Sequence, residues 1–302
     1  AWLAGEPLRA IALYESAVER MPADVLALRL ALSCCFFVGD HARASDIAER
    51  ALAASHPDQT GYGHALALAS FAHAEIGDAH RAERLGRAAL EREPTCPLGV
   101  HAVAHALAES GRSAEGAAWM RAQRAQWAVP SRMRTHNAWH LAMFDLDDGR
   151  PESAISILDG SLLPAAERWP LDACDAATLL WRLAREGIDV ASRWVRLSDA
   201  FERLWRPGFW PYVDLHAALA HGSAGQGARL LRFKLAVAAC AGAESYAGER
   251  ARRLTLPALA VLDAWFAGES QVAKEGLADL SLRLVQAGGS RAQLGVFTGW
   301  AG

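Results

Sequence analysis

The stretch 76–94, IGDAHRAERLGRAALEREP, carries the pattern that decides the fold. Gly77 closes an apolar, Ala-rich run. Glycine accepts the left-handed conformation that ends a helix without a Cβ clash. After it, Ala82, Gly86 and Ala89 recur at spacings of four and three, so small residues line one face of a second helix. Pro94 then stops the chain before the next run. The same punctuation returns along the sequence, with glycines at 5, 39, 77, 111, 149 and 187 separated by 34, 38, 34, 38 and 38 residues. Each separates two segments with apolar residues at three and four, the pattern of paired amphipathic helices. A chain built this way predicts a stack of helical hairpins.

The finer pattern repeats as well. PLRAIALYESAVERMP places Ala10, Tyr14, Ala17 and Pro22 at the offsets of Ala82, Gly86, Ala89 and Pro94. These offsets match the Ala-x3-aromatic-x2-Ala-x4-Pro signature of tetratricopeptide repeats, in which small residues let two helices approach and the larger one fills the gap to the next unit. The middle unit departs from it, with Gly116, Met120 and Gln123 at those places. Beyond Gly187 the periodicity predicts helices near 190–205, 211–221, 226–241, 250–267 and 270–286, with turns at Arg206-Pro207-Gly208, at HGSAGQG and around Gly268. The expected fold is all-α, a tetratricopeptide-type right-handed superhelix of about seven hairpins, curled enough for late repeats to face the middle ones. The chain reads as a single repeat domain over 1–302, with ordinary repeats over 1–96.

Composition narrows the function classes. The 302 residues are 52% hydrophobic and 22% charged, enough to bury a long continuous core. No window approaches the roughly 18 apolar residues of a membrane span, and no basic n-region and apolar h-region open the chain. No membrane association is expected. The first residues read as the end of a helix, which anticipates a segment upstream. Net charge is −3 with basic and acidic residues interspersed, so no nucleic-acid partner is expected. Five cysteines, at 34, 35, 96, 174 and 240, show no C-x-x-C spacing, which argues against a disulfide framework and a thiolate zinc site and suits a reducing cytoplasm.

Chemistry concentrates in two stretches, VHAVAHALAESG at 100–111 and THNAWHLAMFDLDDG at 135–149. Each carries two histidines four apart, His101 with His105 and His136 with His140. Such pairs share a helix face, with Cβ atoms about 5–6 Å apart. The two pairs lie 35 residues apart on the first helices of neighbouring units, where a tetratricopeptide stack lines its concave groove. Imidazoles grouped so could bind Zn²⁺ or another divalent first-row metal, or one could serve as an acid–base near neutral pH. They could equally pack on Ala-rich faces and hold repeats in register. Neither pair carries the Glu of an H-E-x-x-H motif. His64, thirteen residues before Gly77, would extend the row. Further candidates are Asp214 and His216 in YVDLHAALAHG, with Asp214 placed to cap or orient a neighbour after Pro211. Trp139 could stack a ligand beside the histidines, and Ser290 and Gln293 of GGSRAQ could close over the groove as hydrogen-bond donors. Asp172 and Asp175, at i and i+3 after Pro170, read as helix-start carboxylates.

The blocks HAVAHALAESGRSAEGAAWM, HNAWHLAMFDLDDGRPESAISILD, LDACDAATLLWRLAREG, DLHAALA and GGSRAQLGVF, in that order, resemble the tetratricopeptide repeat protein 38 family and its bacterial relatives. The resemblance runs from about 97 to 297 and so singles out 97–302. Arg291 departs from it, standing where a His would follow Gly-Gly-Ser. It implies an α-helical repeat fold and no particular activity. The reading that follows is a cytoplasmic binding protein, with a His-lined concave pocket for a small polar ligand or a peptide. The alternatives are an enzyme using that pocket, by metal or by histidine acid–base chemistry, and a scaffold for partner proteins with structural histidines.

Overall fold

A computed structural model describes residues 1–298 of the chain, and all regular structure among them is helical. The contacts divide into two compact units, Ala1–Ile155 and Ser156 onward. The first contains α1 (Pro7–Arg20), α2 (Val25–Val38), α3 (His41–Ala53), α4 (Tyr62–Glu75), α5 (Ala79–Arg92), α6 (Pro97–Glu109), α7 (Ser113–Ala122), the single turn α8 (Arg124–Trp127) and α9 (Met133–Asp147). α10 (Pro151–Ile157) spans the boundary. The second contains α11 (Leu163–Ala166), α12 (Pro170–Arg185), α13 (Ala191–Leu204), α14 (Pro211–Ser223), α15 (Gly227–Ala241), α16 (Tyr246–Arg250), α17 (Leu256–Phe266), α18 (Ser270–Leu284) and α19 (Arg291–Thr298). The helices read beyond Gly187 agree within a few residues, except that α14 runs on through His221, Gly222 and Ser223 and the turn falls at Gly225.

The turn glycines behave as their spacing predicts. All six have φ between 66° and 86°. At each, the amide one residue later donates to the carbonyl five residues back. These bonds are Glu6 to Ala1, Asp40 to Cys35, Asp78 to His73, Arg112 to Leu107, Arg150 to Asp145 and Ile188 to Leu183, at 2.8–3.1 Å. This closure satisfies carbonyls that a helix end leaves bare. In the Gly-Asp turns the aspartate then caps the next helix, Asp40 accepting from Arg43 N and Asp78 from Arg81 N.

Hairpin packing follows the small residues. On α5 the buried positions are Ala82, Gly86 and Ala89. A Cβ at Gly86 would stand 2.7 Å from Val103 of α6 and 2.9 Å from Ser70 of α4, so only glycine permits that approach. The departure at Gly116 has a similar cause: the Phe144 ring of α9 fills the place of a Cβ, at 2.5 Å. Carboxylates on the second helix of one hairpin also pair with arginines on, or just before, that of the next, Glu15–Arg43 (2.6 Å), Glu49–Arg81 (2.5 Å) and Glu83–Arg112 (2.6 Å).

Two helices of the second unit contain a π turn, Leu158–Leu162 and Ala251–Thr255, each followed by Leu-Pro. Proline has no N–H and its ring crowds the carbonyl four residues back, so the helix widens instead of breaking. For Pro257 that carbonyl belongs to Arg253, and it accepts from Arg283 Nη1 at 3.2 Å.

Candidate functional site

α6 begins at Cys96-Pro97, where proline suits the first helical position because that N–H would lack a helical partner anyway. Gly99 to Leu107 are all buried, so every face of α6 is covered. α9 is covered in the same way from Asn137 to Ala142. Histidines within these two stretches cannot reach water. His101, His105 and His140 are 3%, 1% and 2% exposed, and only His136, in the first turn of α9, is half-buried. Three of the four rings are therefore buried, and His136 alone keeps partial exposure.

They meet. The ring centroids of all six pairs lie between 4.4 and 6.3 Å apart. One ring nitrogen from each lies within 4.8 Å of the other three. His105 Nε2 is 2.9 Å from His101 Nε2. Phe71 closes one side, with its centroid 5.1 Å from His101 and 5.0 Å from His105. Trp139 closes another, stacked on His136 at 5.1 Å and 13° and edge-on to His140 at 4.7 Å. Trp139 is thus a buried wall of the cluster.

Burial governs the protonation of the set. Removal from water, followed by the neighbouring rings, holds the pKa of His101, His105 and His140 well below 6.5. Neutral imidazole keeps one nitrogen lone pair, the form a metal requires. Glu75 of α4 lies 3.3 Å from His105 Nδ1, with both side chains almost fully buried. An ionised carboxylate in that place favours the proton on Nδ1 and leaves Nε2 bare towards the cluster, the tautomer that a carboxylate behind a metal-bound histidine imposes. Among the described residues, His101 Nδ1 and His140 Nε2 have no hydrogen-bond partner. Buried nitrogens in that condition carry a desolvation cost that a bound ion would offset.

The donors suit some ions and not others. Four imidazole nitrogens without a carboxylate oxygen favour Zn²⁺, Cu²⁺, Ni²⁺ or Co²⁺ over Mg²⁺, Ca²⁺ or Mn²⁺. With metal–nitrogen distances of about 2.1 Å, tetrahedral donors stand about 3.4 Å apart, within a small side-chain adjustment of the observed cluster. Nothing in α6 or α9 advertises Glu75, which lies at the end of α4. His64 does not join the row: its ring is exposed, 3.9 Å from Glu93.

The remaining sequence candidates lie in the second unit. Asp214 accepts from Trp205 Nε1 at 2.8 Å and from Gly208 N at 3.1 Å, so it ties down the turn before α14. Burial raises its pKa to about 7. His216 Nδ1 donates to Tyr212 O at 2.7 Å, and its ring lies between Tyr212 and Phe297 at 4.4 and 4.8 Å. Burial lowers its pKa to about 4. Ser290 and Gln293 cap α19 reciprocally, Gln293 N donating to Ser290 Oγ at 3.2 Å and Ser290 N to Gln293 Oε1 at 3.1 Å. Gln293 Nε2 also donates to Asp175 Oδ1 at 2.7 Å. Asp175 is therefore no helix-start carboxylate. It is buried in α12 and clasped by a residue 118 positions away. The same neighbourhood brings in Cys174 and Tyr212, which carried no motif and whose pKa values burial raises. Arg291 is exposed at the start of α19.

All five cysteines are free. No helix among the described residues is long and apolar enough to cross a membrane. No protein-family model matches the chain.

Proposed function

We propose that this is a tetratricopeptide-type binding protein, related to the tetratricopeptide repeat protein 38 family, whose first unit holds one divalent first-row transition ion on His101, His105, His136 and His140. The observation that carries the reading is the convergence of four imidazole nitrogens within 4.8 Å, three of them on rings buried in neutral form. A helix stack that needed only register could use apolar residues there. Four clustered, desolvated imidazoles are costly unless something occupies their lone pairs. The small polar ligand anticipated from the sequence then becomes a molecule that approaches the ion, and the enclosure argues against a peptide lying across the rings.

Elemental analysis of the chain purified without an affinity tag, incubated with Zn²⁺ or Co²⁺ and gel-filtered, should give about one ion per chain and a thermal midpoint that rises with metal concentration. A content near zero, together with lower thermal stability in His101→Ala and His140→Ala, refutes the reading and assigns the rings to packing.

A further inference from the structure

The four histidines are not equivalent. His101, His105 and His140 are sealed: His105 against Glu75 and Phe71, His101 against Phe71 and His105, His140 against Trp139 and Phe144. His136 differs in two respects. It is the one member that is only half-buried. Its ring also lies flat on Trp139 at 13°, a surface on which it can rest without touching an ion. Release of His136 would leave three neutral nitrogens and one open position facing solvent, the arrangement by which metal sites admit a small molecule.

On the metal-binding reading above, we propose that His136 is an exchangeable ligand: a small nitrogen or oxygen donor, water or a monovalent anion, takes its place on the ion while His101, His105 and His140 keep hold. The metal–nitrogen bond to His136 breaks, a bond from the incoming lone pair forms, and the oxidation state is unchanged. His136 keeps its lone pair and takes a hydrogen bond from water. The aromatic walls formed by Phe71 and Trp139 confine the exchange to small donors.

The test uses the full chain loaded with Co²⁺, whose visible absorption reports coordination, with azide as the incoming donor. Azide should alter the wild-type spectrum. His136→Ala should retain one Co²⁺ per chain with affinity weakened less than about tenfold, and should bind azide more tightly because no ring is displaced. His101→Asn, His105→Asn and His140→Asn should each weaken Co²⁺ binding more than about a hundredfold, beyond the usual effect of an outer-sphere change. If the buried variants do not fold, as judged by circular dichroism, the wild-type azide titration and His136→Ala decide. The inference is overturned if wild type holds Co²⁺ and saturating azide leaves its spectrum unchanged, or if His136→Ala loses the ion as completely as the buried variants. A wild type that holds no Co²⁺ overturns the metal reading itself, and this inference with it.

Discussion

Replacing His221 by Asn should flatten part of the acid sensitivity of the second unit. His221 is buried on α14, and its Nδ1 is 2.7 Å from Ser198 Oγ. That hydroxyl accepts from Arg229 Nη1 at 2.9 Å, so its own proton points at His221 and requires a bare Nδ1. Burial, then the charge of Arg229, lowers the pKa to about 4. In the unfolded chain it is about 6.5. Between those values the unfolded state binds more protons than the folded one, so stability is full above pH 6.5 and is lost as pH falls towards 4. From pH 7.5 to 5 the loss from this one ring is about 2 kcal/mol. Asparagine offers Oδ1 to the Ser198 hydroxyl and does not titrate. Urea denaturation of wild type and His221→Asn at both pH values should therefore show the free-energy gap between them shifting by about 2 kcal/mol in favour of the variant at pH 5. The other histidines and Asp214 are common to both proteins and cancel. A gap that stays constant across that range would refute the neutral, Ser198-bonded histidine.

Other substitutions test the packing and the caps. Gly222→Ala would place a Cβ 2.0 Å from the Phe266 ring and should cost about 1–3 kcal/mol in thermal or urea denaturation; Gly160→Ala meets nothing within 4 Å and should be neutral or stabilising by about 0.5 kcal/mol. Gln293→Ala removes a cap and the donor to Asp175 and should cost about 2 kcal/mol, whereas Gln293→Glu sets a second carboxylate against Asp175 and should recover stability as pH is lowered. Glu75→Gln keeps the shape behind His105 but removes its charge, and chelator competition should show metal affinity reduced about 10–100-fold.

The hairpin array was legible because its punctuation is local. A left-handed Gly and the small stripe of Ala82, Gly86 and Ala89 are properties of a few consecutive residues. The histidine pairs were legible for the same reason, four residues being one helical turn. Their enclosure was not, because α6 is covered on all faces by neighbouring helices and its sequence is apolar with little periodicity to mark an outside. Glu75 and Asp175 escaped in another way. Glu75 serves a ring 30 residues on, and Asp175 is bonded across 118. The helix-start reading of Asp175 failed because it sits in the second turn of α12, past the amides that a cap would serve. Ser290 and Gln293 read in sequence as groove-closing donors, although Ser-x-x-Gln before a helix is itself a capping box.

The two histidine pairs sit on α6 and α9, the first helices of neighbouring hairpins. In a stacked array each hairpin is stabilised chiefly by the one beside it, and cooperativity depends on those junctions. An ion held there would be a cross-link that can be withdrawn. With it in place the two hairpins would unfold as one block; chelation would let the hairpins up to α6 open without those beyond, so metal supply would set how much of the first unit behaves as a single piece.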